Sequence, residues 1–184
     1  AMTAEIRNDK TILGIHDGHG ASAALLKNGK LVKAFEEERF TRIKGDTGFP
    51  KNALNHFLRA LGPEIREIDY VAVASHQHDF VLHATKRYPL FKVSDFLIEE
   101  KRYWIPTLLE GKSVDYLSVM SEYVDFSRSH YPLKTIQDRK DVKEIKKMRQ
   151  SYIADYLGVP EDRVVFVDHH TCHAHHAYFS SPLR

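Results

Sequence analysis

The chain of 184 residues contains one cysteine, Cys172. A single thiol excludes an internal disulfide framework and suits a reducing compartment. Charge of one sign is also lacking: 27 Lys and Arg stand against 25 Asp and Glu, a formal net charge of +2. No strong field therefore draws nucleic acid or an anionic membrane. No apolar run approaches the roughly 20 residues that a bilayer span needs. The opening Ala1-Met2-Thr3 has no apolar signal-peptide core, and its Ala-Met start reads as a residue left ahead of a native Met. The expectation is a cytoplasmic protein with neither membrane nor nucleic acid among its partners. Nucleotide motifs are missing too. Gly111-Lys112-Ser113 imitates the end of a P-loop, but Pro106 stands where the loop needs glycine and no strand precedes it. Gly14, Gly18 and Gly20 do not make a GxGxxG. There is no internal repeat and no low-complexity segment.

What is present is enough for one ordinary domain. Hydrophobic residues make up 42% and aromatics 11%, which supports a packed core and excludes disorder. Thr11–His16, Ala21–Lys27 and Leu31–Glu37 read as strands. Asp17-Gly18-His19-Gly20 joins the first two, and Asn28-Gly29, a type I′ turn pair, joins the second and third. Pro50 opens a helix that carries Ala53, Leu54, Phe57, Leu58 and Leu61 on one stripe and stops at Gly62-Pro63. Asp69–Ser75 is a fourth, buried strand. From His76 to about Asp138 the pattern is irregular, with Tyr88-Pro89 and Tyr131-Pro132, and predicts a mainly helical insertion. Asp138 is the expected N-cap of a helix over Arg139–Leu157. The cations Lys140, Lys143, Lys146, Lys147 and Arg149 on that helix read as a solvated face, since Asp141, Glu144 and Asp155 are interspersed. Val164–Val167 is a buried strand, and a helix follows it.

The order β-β-β-α-β, insertion, α-β-α predicts an α/β fold. A three-stranded antiparallel meander followed by βα units is the layout of a ribonuclease-H-like lobe, half of the actin-like (ASKHA) architecture. In that fold the turn between the first two strands carries a phosphate-facing loop, and Asp17–Ser22 occupies that turn.

Chemistry concentrates after the last strand. Five of the 12 histidines lie between His169 and His176. His169 and His173 are four apart, which on a helix puts both imidazoles on one face, one turn apart. Such a pair can share a divalent metal. An HxxxH pair alone is more often plain polarity than a site. The crowding of histidines at a strand tip, where open α/β sheets keep their ligands, turns the reading toward a metal. Asp168 could orient a ligand histidine. In the Asp17–Ser22 turn, Gly18 and Gly20 offer backbone amides to an anion, and Asp17 could hold a metal-bound water. Any hairpin can use Asp-Gly, so by itself this turn reads as structural. Glu36-Glu37-Glu38-Arg39-Phe40-Thr41-Arg42-Ile43-Lys44 is either a surface salt-bridge patch or a source of cations for the same cleft. In the second case Arg42 or Lys44 binds a phosphate or stabilises an oxyanion.

Three blocks together are recognisable. Ile12–Leu26 with its Ile-His-Asp-Gly-His-Gly-Ala-Ser-Ala-Ala core, Glu36–Lys44 with Gly48-Phe49-Pro50, and Asp168-His169-His170 with His173-Ala174 resemble the N-terminal part of the O-carbamoyltransferase family, which includes nodulation-factor and antibiotic carbamoyltransferases. The resemblance implies an actin-like domain similar to the tRNA threonylcarbamoyl-transfer enzymes. It also implies a C-terminal domain similar to the YrdC family that makes carbamoyladenylate from carbamoyl phosphate and ATP. By motif position, His169 and His173 match two metal ligands, commonly of iron(II), with zinc as the alternative. Asp17, His19 and Lys44 match polar residues of the transfer site, with Arg42, Gly18 and Gly20 beside them. Gly20 stands where relatives usually carry Asn or Asp. Family members are several times longer, so residues 1–184 are expected to be the first lobe, with the insertion at about 76–138. The second lobe and the YrdC-like domain are expected partners of it, the acceptor is a small-molecule hydroxyl, and a homo-oligomer is compatible with the reading. Alone the chain is expected to have no turnover. Competing readings are a tRNA threonylcarbamoyl-transfer-like enzyme, an actin-like small-molecule kinase lobe and a non-enzymatic metal-binding module.

Overall fold

Alternation along the strands builds the sheet. In the computed structural model, which describes residues 10–75, 91–123, 130–135 and 141–181, β1 (Thr11–His16) turns Leu13 and Ile15 inward and β2 (Ser22–Lys27) turns Ala23 and Leu25 inward. β3 (Lys30–Glu36) is a mostly exposed edge strand, β4 (Tyr70–Ser75) buries Val71 and Val73, and β5 (Val164–Asp168) buries Val164. They form one 5-stranded sheet in the order β3-β2-β1-β4-β5. β1, β2 and β3 pair antiparallel, while β4 runs parallel to β1 and β5 parallel to β4. Asn28 and Gly29, at φ 53° and 73°, take the left-handed conformations that the I′ turn requires.

Helices cover the apolar face. A single turn, α1 (Glu38–Thr41), leads to α2 (Lys51–Leu61), which lays Ala53, Leu54 and Phe57 on the sheet. In the insertion, α3 (Val93–Glu99) continues as a π-helical stretch, Glu100–Leu109, and is followed by α4 (Tyr116–Met120) and a 3-10 turn, Leu133–Thr135. Tyr116, Leu117, Met120, Tyr131 and Leu133 join the common core, so these residues are structural partners of the sheet. The Tyr88-Pro89 pair lies outside the described residues. Among those described, no helix is long and apolar enough to cross a membrane.

The longest α-helix among the described residues, α5 (Val142–Leu157), starts later than expected. Its cap is Asp141, whose carboxylate accepts the Lys143 and Glu144 amides at 2.8 and 3.4 Å, and Asp138 lies outside the described residues. Both aspartates suit a cap, but only Asp141 has Glu144 in the first turn behind it. The helix ends at Gly158 in the left-handed conformation, φ 68°. After β5 comes α6 (His169–Ser180), whose residues are largely exposed.

The Glu36–Lys44 block is divided by the fold. Glu36 pairs with Arg39 at the surface, 3.4 Å apart. Glu37 turns inward and closes the start of α2, accepting the Asn52 amide at 3.0 Å, the Asn52 side-chain amide at 2.7 Å and the Ala53 amide at 2.9 Å. Its charge sits where a helix N-terminus favours an anion. Glu37→Ala is expected to lower stability by about 1.5–3 kcal/mol, the range for hydrogen bonds to a charged group. Chemical denaturation checks this, and an unchanged midpoint would contradict it.

Candidate functional site

The carboxyl ends of β1, β4 and β5 meet at one edge of the sheet, where His16 pairs with Ala74 and Ser75 with Asp168. From this edge spring the Asp17–Gly20 turn and α6. Asp168 caps α6, accepting the Thr171 amide at 2.9 Å and the Thr171 hydroxyl at 3.2 Å. The Thr171 amide holds its carboxyl below the usual carboxylate range, so it is an anion at neutral pH. Its side chain also feels His170, through that residue's backbone amide and ring charge, since the orphan amides of a first helical turn are the nearest donors.

The first turn of α6 brings His169 and His173 together. Their Nε2 atoms are 2.9 Å apart and the ring centroids 4.5 Å, the planes nearly perpendicular at 82°. As a hydrogen bond, one nitrogen donates and the other accepts. The same geometry suits two ligands of one cation: nitrogens at about 2.1 Å from a metal, at right angles to each other, lie about 3 Å apart. Among the described residues no group of three or more His, Cys, Asp or Glu side chains could hold a metal ion. What the described residues offer a cation here is this pair of nitrogens.

Asp17 lies differently from the rest. Its side chain is buried and faces Arg149 of α5 and Tyr131 of the insertion. Arg149 donates through Nε at 3.0 Å and through a terminal nitrogen to both carboxylate oxygens at 2.7 Å, while the Tyr131 hydroxyl donates at 2.7 Å. Burial opposes the charge on Arg149, but Asp17 and Tyr131 outweigh it and hold the guanidinium above its ordinary pKa. Burial first, and then the Asp17 charge, push the Tyr131 phenol well up, so it stays protonated as a donor. Arg149 also lies over the Phe166 ring of β5, 4.8 Å from its centroid. The sequence placed Arg149 on a solvated face, and here the structure differs. Arg149 stands one turn from Ile145 and one from Ile153, both buried, so it points inward with them.

The turn itself is braced from the loop after α1. The amides of Gly20 and Ala21 both donate to the Asp46 carbonyl, at 3.0 and 2.9 Å, so the Gly20 amide already has an acceptor. The buried Asp46 carboxylate takes the Thr41 hydroxyl at 2.7 Å and the Thr47 amide at 2.8 Å. His19 is exposed, and its ring lies over Gly45, where an added Cβ would sit 3.2 Å from Nε2. Arg42 and Lys44 are exposed and, among the described residues, make no hydrogen bond or ion pair with their side chains. The structure thus gathers His169 and His173, buries Asp17 away from solvent, and leaves His19, Arg42 and Lys44 at the surface. A cavity of about 500 Å³ lined by Gly62, Arg66, Asp155 and Tyr156 contains none of these groups.

Three residues of this region escaped the sequence reading: Arg149, Tyr131 and Asp46. For Arg149 the i, i+4, i+8 spacing with Ile145 and Ile153 was the available signal. The partnership of Tyr131 with Asp17 spans 114 residues and has no local signature.

Comparison with known proteins supplies the remaining facts. A family model described as "Carbamoyltransferase N-terminus" matches residues 11–184. An uncharacterised protein of Methanocaldococcus jannaschii is 47% identical over 62 residues, 34% of this chain and 12% of that protein. An uncharacterised protein of Synechocystis is 27% identical over 165 residues, 90% of this chain and 22% of that protein. Nodulation protein NolNO of Sinorhizobium fredii is 34% identical over 58 residues, 32% of this chain and 8% of that protein. The matched stretches span less than a quarter of the length of each of these curated relatives. Among solved structures, the Aquifex aeolicus member of the Ppx/GppA family aligns over 96% of this chain and 59% of its own, at 9% identity and a TM-score of 0.34.

Proposed function

The chain belongs to the carbamoyltransferase N-terminus family, and from that premise we propose that it is one lobe of an ATP-dependent O-carbamoyltransferase. The complete enzyme makes carbamoyladenylate from carbamoyl phosphate and ATP and transfers the carbamoyl group to the hydroxyl of a small-molecule acceptor. The sheet order, with an antiparallel meander on one side and parallel β4 and β5 on the other, supports a ribonuclease-H-like, actin-like lobe. On this reading a second lobe and a YrdC-like domain of the longer protein complete the enzyme.

The observation that carries the reading is the pair of Nε2 atoms at the tip of β5. His169 and His173 hold a divalent metal, iron(II) before zinc, through these nitrogens. Bound there, the metal supplies Lewis-acid polarisation of the acyl group, a contribution of several kcal/mol. The acceptor oxygen forms its bond to the carbamoyl carbon, and the bond from that carbon to the phosphate oxygen breaks with AMP leaving. His19 takes the hydroxyl proton on a ring nitrogen. It suits this better than Asp17, because its ring is exposed while both Asp17 oxygens are already hydrogen-bonded. Lys44 and Arg42 offset the charge of the departing phosphate. Asp17 acts through the turn that it anchors.

Anaerobic iron(II) titration tests the metal part. The chain is expected to bind about one equivalent, weakly for want of a third ligand, and a His169→Ala, His173→Ala double variant is expected to bind none. Iron retained by the double variant would move the metal elsewhere and overturn this reading. Supplied with carbamoyladenylate and a hydroxyl acceptor, the chain alone is expected to give no product.

A further inference from the structure

His16 is the last residue of β1 and has no part in the roles assigned above. Its ring lies against β4, the Asp17–Gly20 turn and the start of α6. Nδ1 lies 3.1 Å from the Ala74 carbonyl on β4, and Nε2 lies 3.1 Å from the His19 carbonyl in the turn. Its ring centroid is 5.6 Å from that of His169, tilted by 36°. The space for the ring exists because residue 18 is glycine: a Cβ there would approach Cε1 and Nε2 of His16 to 3.0 Å. Gly18 does not have a positive φ, so its lack of a side chain, and not its backbone freedom, is what the ring uses.

We propose that His16 is a positioning residue of this site, a ring fixed between Ala74 and His19 that sets the orientation of His169 and thereby of the His169–His173 pair. It rests on the metal reading of that pair for its function, but the packing it describes is independent of any metal. Both ring nitrogens of His16 already face carbonyls, so it acts by contact rather than as a further ligand. A neutral imidazole donates to one of the two carbonyls, and either choice ties the ring to a neighbouring segment. A side chain that restricts ligand rings in this way commonly changes metal affinity about 10–100-fold when removed.

The experiment uses the 184-residue chain, cobalt(II) as the probe, and the variants His16→Ala and Gly18→Ala. His16→Ala removes the ring. Gly18→Ala leaves every histidine in place and only displaces the ring, so it guards against a folding defect in the first variant. His175→Ala is the control. Both test variants are expected to bind cobalt(II) about tenfold more weakly or worse, with the control unchanged. In metal-free protein, long-range proton–nitrogen NMR is expected to show His169 and His173 losing their distinct Nε2–H and Nδ1–H tautomers for averaged ones. Wild-type cobalt affinity and unchanged His169 and His173 resonances in both variants would overturn the proposal. If wild-type protein binds no cobalt(II), the metal reading fails, and the NMR comparison alone decides whether His16 orients the pair.

Discussion

Replacing Arg149 by Met is expected to cost about 3–5 kcal/mol of stability, the range for breaking a buried ion pair by deleting one partner. The side chains of Arg149 and Asp17 are 3% and 2% exposed, so neither charge has water to fall back on. Met fills much of the volume but leaves the Asp17 carboxylate with the Tyr131 hydroxyl as its remaining side-chain donor among the bonds described above. Arg149→Lys restores the charge without the planar fork that reaches both carboxylate oxygens, so it is expected to recover only part of the loss. Tyr131→Phe deletes the hydrogen bond to the charged Asp17 and is expected to cost about 1.5–3 kcal/mol. Asp17→Asn combined with Arg149→Met should cost less than the two singles added, because they break one interaction. Urea denaturation of the set checks this. An Arg149→Met variant within about 1 kcal/mol of wild type would show that the clamp does not hold the fold, and the view of Asp17 as an anchor would go with it.

That anchor explains how a core interaction reaches the site. Asp17 follows His16 directly and opens the turn that carries His19. Holding its carboxylate from α5 and from the insertion fixes the start of the turn, while Asp46 fixes the end through the amides of Gly20 and Ala21. The turn is thus pinned from three separate segments of chain. His19, between the two anchors, has a fixed backbone and an exposed ring. Preorganisation of that kind is what the proposed transfer site would need, since small displacements of a reacting group are expensive in rate.

Much of this arrangement was legible in the sequence, for local reasons. The strands followed from short apolar, β-branched runs, the second hairpin from Asn28-Gly29, and α2 from its apolar stripe and its stop at Gly62. The histidine pair followed from helical spacing alone. Most of the features that escaped it depended on partners distant in sequence. Arg149 carries a charge and neighbours lysines, which locally argues for solvent. Asp17, 132 residues earlier, and Tyr131 make its burial favourable. Glu37 looked like one of three equivalent acids. Its inward turn follows from its place two residues beyond Phe35, on the side of β3 that packs on the core, and from the α2 amides waiting there. The start of α5 was a local signal passed over: Asp141, unlike Asp138, has a glutamate three residues on, Glu144.

His19→Ala in the complete carbamoyl-transferring enzyme is expected to lower kcat about 10²–10⁴-fold, the usual contribution of a positioned general base. The exposed ring makes no hydrogen bond among the described residues, so the same change should leave the urea midpoint of the chain within the small range of surface substitutions. KM for the acceptor should move little, because the lost interaction belongs to proton removal in the transition state. This contrast separates His19 from Asp17: loss of Asp17 should appear first as instability, loss of His19 as slow chemistry in a stable protein. Gly45→Ala gives a second view of the same residue. Its Cβ would press on the His19 ring at 3.2 Å, and φ of 65° disfavours any side chain there, so it should slow transfer and also cost some stability. Steady-state kinetics on the two variants, set beside their denaturation curves, decide the matter. Transfer within about threefold of wild type in His19→Ala would remove it as the base, and the proton would then have to leave through a group outside this lobe or through solvent.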